Sequence, residues 1–207
     1  FALGIGLLAL LCAHFTISLL QPLLYKGLKP VFIYAFEFFE YAISAFLGFI
    51  IVERIALPRW WAKGITKHTS LMVVFLGAAL VAGNTASHYY GLREALQLAP
   101  WLGTLDLTQA FFLSLRAAVT EEVAFRLFLL SLSAWISLRI FQNRRGAIGV
   151  GVLVSSLLFG LIHPTFPLAF LTGVALAYIY LQAGLLPAML IHFFGDFVPF
   201  SLRALFW

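Results

Sequence analysis

The sequence predicts an all-α polytopic transmembrane helical bundle of about seven spans, and three observations predict it. Of the 207 residues, 63% are hydrophobic and only 10% charged, with a mean hydropathy of +1.02. A soluble domain of that length needs far more charge to cover its surface. The apolar residues also fall in runs long enough to cross a hydrocarbon core, which takes about 20 residues in a helix. These runs lack the alternation of a barrel strand, and lipid admits only helices or closed barrels because the backbone must satisfy its own polar groups.

Seven apolar segments succeed one another at approximately 2–24, 31–52, 70–90, 105–132, 147–163, 166–183 and 186–205. The first shows no cleavage pattern and reads as a retained span rather than a signal peptide. Because the chain opens on Phe1, a natural start further upstream is expected. Cys12, the single cysteine, excludes an internal disulfide. The second run carries Glu37 and Glu40 beside Tyr34 and Tyr41. Segment 53–69 then gathers Arg54, Arg59, Lys63 and Lys67 around Trp60 and Trp61, the composition of a headgroup-level anchor. His68, His88, Tyr89, Tyr90 and Trp101 read as interfacial residues in the same way. The fourth run continues as helix to Gln142 and ends in the polar turn Asn143-Arg144-Arg145-Gly146. Gly146, Gly149 and Gly151 open the fifth run as a close-packing helix face.

No repeat, low-complexity tract or appended soluble domain interrupts the pattern. The chain reads as one integrated membrane domain, with N-terminal helices over 1–104 and a core over 105–207. The net charge of +5 lies beside the apolar runs, so it points to membrane topology and not to nucleic acid. With seven spans, Arg54, Arg59, Lys63, Lys67, Arg139, Arg144 and Arg145 share one side against Lys26, Lys29, Arg93 and Arg203 on the other. The first side is therefore expected to be cytoplasmic.

Charges inside a membrane cost several kcal/mol each and need a partner or a function. Glu37, Glu40, Arg116, Glu121, Glu122, Arg126 and Asp196 all fall inside apolar runs. Glu122 and Arg126 are four apart, acid before base, so on a helix they share a face and neutralise each other. Glu121 points about 100° away and lacks that partner. The spacing assigns Glu122 to structure and Glu121 to chemistry. The alternative is that both glutamates tie helices together through Arg116 and Arg126.

Two histidines add weight to the chemical reading. His163 ends the fifth run, and His192 lies one helical turn before Asp196, which can hold or polarise its ring. A carboxylate base with imidazoles that bind water and stabilise an oxyanion is the equipment of hydrolysis. Helix counting places His163 near the membrane face opposite that from which His192 enters. The two can meet only if the Pro164–Pro167 connection is recessed in a water-filled cavity.

Glu121-Glu122-x-x-x-Arg126, then Phe159-x-x-x-His163, then His192-x-x-x-Asp196, in that order on membrane helices, resembles the CPBP family. That family groups type II CAAX prenyl endopeptidases with bacteriocin-processing and self-immunity proteins. The resemblance covers about residues 105–200 and includes Phe170-Leu-Thr-Gly173. It implies a CAAX-protease-like core and an endopeptidase that cleaves a membrane-associated, prenylated or leader peptide. It further implies that Glu121 activates water with help from His163, that His192 and Asp196 stabilise the oxyanion or complete the site, and that Glu122 and Arg126 brace it. Phe159 is a supporting residue. Two departures stand out: Leu127 follows the arginine where relatives commonly carry glycine, and Asp196 replaces the asparagine of eukaryotic-type prenyl proteases. The aspartate leans towards the bacterial branch, and so to a bacterial-type inner or plasma membrane.

Other proteases fit less well. The only aspartates are Asp106 and Asp196, with Phe193 where an aspartyl type has the first glycine of Gly-x-Gly-Asp, and no Gly-x-Ser-x-Gly occurs. None of the five histidines belongs to a His-Glu-x-x-His. A metal-free mechanism is therefore expected, with zinc on Glu121, His163 and His192 as the alternative. The expected partners are the lipid bilayer and a peptide or membrane-protein substrate, within a possible larger membrane complex. A non-catalytic scaffold or assembly factor, or a small proton-coupled transporter, remain the other readings; intramembrane acids and histidines also build proton relays.

Overall fold

The computed structural model describes residues 1–24, 26–62, 64–90 and 104–206. Lys63, Arg93 and Trp101, named above for the basic anchor, the charge count and the interface, lie outside them. Among the described residues there are seven helices and no strand: α1 Ala2–Leu24, α2 Pro30–Arg54, α3 Lys67–Tyr90, α4 Leu107–Phe141, α5 Arg144–Leu161, α6 Phe166–Ala183 and α7 Leu185–Phe206. Each coincides with one of the seven apolar runs. Six of them, α2 to α7, are long and apolar enough to cross a membrane, and Ala2–Ser18 forms a shorter apolar helix. The protein is an integral membrane protein. Its outward faces carry Leu3, Leu71, Val74, Phe75 and Ile140 in the open, which is how a bundle meets acyl chains rather than water.

Local chemistry sets the helix ends. Pro30 opens α2, where its missing N–H leaves no extra gap. Asp106 and Gln109 form a reciprocal capping box at the start of α4, with the Asp106 carboxylate accepting from the Gln109 N–H at 2.7 Å. Gln142, left-handed at φ 52°, stops α4, and the Asn143 side chain accepts from the N–H groups of Arg145 and Gly146 to start α5.

The basic, tryptophan-bearing segment after α2 does more than mark an interface. The Ala62 N–H donates to the Ala183 carbonyl at 2.9 Å, and the N–H groups of Leu185 and Leu186 donate to the carbonyls of Arg59 and Trp60 at 2.8 and 3.1 Å. Between them Gly184, at φ +102°, lies so close to Trp60 that a Cβ would stand 2.5 Å from its carbonyl oxygen. Arg144 donates to the carbonyls of Ile55 and Ala56 at 3.3 and 3.1 Å. The loop after α2, the α4–α5 turn and the α6–α7 turn therefore share one end of the bundle.

Helix α4 is the central element, packed by α1, α2, α5 and α7. At 35 residues it runs for about 50 Å, well beyond a hydrocarbon core. Its middle differs from expectation. Glu122–Leu130 is a π-helix between α-helical Leu107–Glu121 and Ser131–Phe141. A π turn holds an extra residue and so rotates the C-terminal part of the helix relative to the N-terminal part. Leu127, the departure from the family pattern, is fully buried on this segment. Gly48 of α2 makes its room, since a Cβ there would stand 2.8 Å from Leu127 Cγ. The side-chain volume added on one helix is thus removed from its neighbour.

Candidate functional site

Three elements meet at the π segment: α4 with Glu121, Glu122 and Arg126, the C-terminal end of α5 with Phe159 and His163, and α7 with His192 and Asp196. The expected Glu122–Arg126 pair is present, Oε2 lying 3.2 Å from Nε with both side chains fully buried. Arg126 also donates from Nη2 to the Gly173 carbonyl at 3.4 Å, and its guanidinium carbon stands 4.5 Å from the centre of the Phe159 ring. A buried arginine that is paired, hydrogen-bonded and stacked on an aromatic face is a compensated charge. Gly173 permits this packing, because a Cβ there would press on Ser156 and Phe159 at 3.1–3.3 Å.

Glu122 has a second partner that its spacing with Arg126 did not reveal. Its Oε1 accepts from His192 Nδ1 at 2.8 Å. A carboxylate only accepts, so Nδ1 carries the proton, and in the neutral ring Nε2 bears the lone pair. That Nε2 stands 3.9 Å from Glu121 Oε2 and 3.5 Å from Asp196 Oδ2. Asp196 therefore approaches His192 from the Nε2 side, while the hold on Nδ1 comes from Glu122.

His163 is oriented by the same logic. Its Nδ1 is 2.7 Å from the Phe159 carbonyl, which can only accept, so Nδ1 donates there. Nε2 is left 3.7 Å from Glu121 Oε2. The ring lies back along α5 with its centre 4.5 Å from that of Phe159, whose ring centre is 5.9 Å from that of His192. His163 lies just beyond the last residue of α5, and its imidazole reaches back by about one helical turn towards the level of Phe159. Pro164, Thr165 and Phe166 are exposed, and the residues just before them, Ile162 and His163, line a cavity.

Glu121 Oε2 is thus buried between two imidazole Nε2 atoms and has no hydrogen-bond partner among the described residues. A cavity of about 610 Å³ beside it is lined by Glu40, Tyr41 and Ser44 of α2, by Arg116, Thr120 and Glu121 of α4, and by Ile162 and His163. A larger apolar groove of about 910 Å³ between α3 and α7, lined by Val74, Ala78, Phe194 and Val198, contains none of the site's acids or histidines. Of the remaining intramembrane charges, Glu37 takes both Nε and Nη2 of Arg116. Glu40, one turn further along α2, is exposed.

Glu121, His163 and His192 offer donor types that zinc accepts, two imidazole lone pairs and a carboxylate. Among the described residues, however, no three His, Cys, Asp or Glu side chains form a ligand set.

Sequence reasoning missed two contacts. One is the Glu122–His192 bond. The other is Asn84 of α3, whose Nδ2 donates to the Gly195 carbonyl at 2.7 Å and faces Asp196 Oδ1 at 3.5 Å. An amide amid Val81-Ala82-Gly83 was the available signal. His88, one turn after Asn84, was expected at the interface beside His68. It packs edge-on against Phe200 with Nδ1 buried, whereas His68 is exposed.

Residues 103–198 match the family model of type II CAAX prenyl endopeptidase Rce1-like proteins, a protease family. The matched segment, a little under half the chain, contains Glu121, Glu122, Arg126, Phe159, His163, His192 and Asp196. No curated protein and no solved structure matches the chain.

Proposed function

From this Rce1-like segment as premise, we propose that the chain is an intramembrane endopeptidase that hydrolyses a peptide bond of a membrane-associated, prenylated or leader peptide by glutamate-activated water. The observation that carries the reading is Glu121 Oε2, buried without a hydrogen-bond partner and 3.7 and 3.9 Å from two imidazole Nε2 atoms. These distances are too long for direct hydrogen bonds and suit one water held among the three groups.

In the proposed reaction that water donates one hydrogen to Glu121 and the other to the Nε2 lone pair of His163. Its oxygen attacks the peptide carbonyl carbon as Glu121 takes the proton, giving a tetrahedral intermediate. Protonated at Nε2, His192 donates to the oxyanion; its Nδ1–H bond to Glu122 fixes the ring, and Asp196 stands on the Nε2 side. When the C–N bond breaks, Glu121 returns its proton to the leaving amine. The substrate approaches through the cavity between α2 and the α5–α6 turn, where the apolar walls shield the reacting groups from bulk water.

The test is cleavage of membrane-peptide libraries by protein reconstituted in liposomes. Wild type is expected to cut, and Glu121→Ala and His192→Ala to fall by about 10²–10⁴-fold. Equal cleavage by wild type and folded Glu121→Ala would overturn the glutamate-activated mechanism, and no cleavage by folded wild type would favour a scaffold with the same fold.

A further inference from the structure

We infer that Asn84, on α3 and outside the matched family segment, is a positioning residue for the hydrolytic site and acts through Asp196; the inference rests on the reading of that site as hydrolytic. It begins with Pro199, which lies inside α7. Proline has no N–H, so the carbonyl four residues back in a helix loses its normal donor. That carbonyl belongs to Gly195, the residue immediately before Asp196. In a membrane a freed carbonyl must find another partner, and neighbouring helices are where one is found.

Asn84 supplies that partner, its Nδ2 standing 2.7 Å from the Gly195 oxygen. Because a carbonyl only accepts, this contact fixes which way the amide faces. The same nitrogen carries a second hydrogen and lies 3.5 Å from Asp196 Oδ1. The other carboxylate oxygen, Oδ2, is the one that faces His192 Nε2 at 3.5 Å. One amide therefore holds the α7 backbone at the proline and, from that anchor, directs Asp196 towards the imidazole. A residue that only filled the gap left by Pro199 would have no need to approach the carboxylate.

Asn84 thus has two separable roles, and Pro199→Ala separates them, because it gives Gly195 a helical donor again without replacing the bond to Asp196. The experiment compares Asn84→Ala, Asp196→Ala, Pro199→Ala and the double variants Asn84→Ala/Asp196→Ala and Asn84→Ala/Pro199→Ala, all in liposomes. Thermal unfolding, kcat and KM are measured, together with the rate of His192 carbethoxylation by diethyl pyrocarbonate relative to His163. Asn84→Ala is expected to lower kcat about ten- to a hundred-fold, as loss of an orienting partner does, with KM changed less than about threefold. In the Asp196→Ala background the same substitution should change kcat by less than about twofold. Pro199→Ala should restore thermal stability to Asn84→Ala but not kcat. His192 should be carbethoxylated several-fold faster in both Asn84→Ala and Asp196→Ala, since its Nε2 loses a restrained neighbour.

An equal kcat loss with and without Asp196, recovery of kcat by Pro199→Ala, or unchanged His192 labelling would each overturn the inference and leave Asn84 a structural cap. If wild type and Glu121→Ala cleave equally, the glutamate-activated mechanism fails by itself, and the labelling comparison still decides whether Asn84 acts on Asp196 and His192.

Discussion

Helix α4 buries two arginine–glutamate pairs, and they are built differently. Arg116 reaches across to α2, where its Nε and Nη2 engage the two carboxylate oxygens of Glu37. Arg126 pairs within its own helix and engages only Oε2 of Glu122, so Oε1 is free to hold His192. The first pair joins two helices and occupies both acceptors of its acid. The second hands an orienting hydrogen bond on to an imidazole. Burial of a charge in a membrane span therefore does not by itself mark chemistry. What distinguishes the second pair is the bonding capacity left over after neutralisation, beside a further acid, Glu121, that has no protein hydrogen bond among the described residues.

The sharpest way to break this comparison is to remove that further acid without disturbing either pair. Glu121→Gln keeps the shape and should lower cleavage about 10²–10⁴-fold while leaving thermal stability within about 0.5 kcal/mol. A large stability loss would show Glu121 to be a third structural acid instead. Glu122→Ala should destabilise by about 3–5 kcal/mol, because it leaves Arg126 buried and unpaired, and should also lower cleavage by freeing the His192 ring. Denaturant unfolding alongside activity per folded molecule would separate the two losses, and a wild-type unfolding curve would refute the bracing role.

Glu37→Ala should destabilise by a comparable 3–5 kcal/mol for the same reason, yet hold cleavage per folded molecule within about threefold. A hundred-fold drop there would erase the distinction between the pairs. The smallest effect belongs to Glu40→Gln on the same helix, one turn from Glu37. Its carboxyl is exposed, so unfolding should move by no more than about 0.5 kcal/mol. A Glu40 loss equal to that of Glu37 would mean that Glu40 shares the pairing of Arg116.

The parts of the site legible in the sequence were those that depend on short spacing. Glu122 and Arg126 had to share a face because four residues make about one helical turn, and His192 and Asp196 obey the same rule. The pairing of Glu37 with Arg116 joins residues 79 apart and had no spacing to announce it. The π-helical Glu122–Leu130 had no such signature, since its residues suit an α-helix equally well. The glycine exchange between Gly48 and Leu127 and the bond from Asn84 to α7 were equally hidden, because each pairs residues far apart in the chain. Pro199 leaves the Gly195 carbonyl without a helical donor, but nothing near it in the chain says which helix answers it.

Hydropathy and short-range spacing already specify a membrane-embedded, all-helical chain, its seven helical stretches, and the family to which residues 103–198 are similar. Those features come from the hydrocarbon thickness and the helical repeat, which act on neighbouring residues. It takes the packed bundle to show that His192 leans on Glu122, that His163 folds back over Phe159 to face Glu121, and that α3 reaches Asp196. Contacts of that kind depend on which helices pack together and at what height, and those are fixed by the shape of every interface at once.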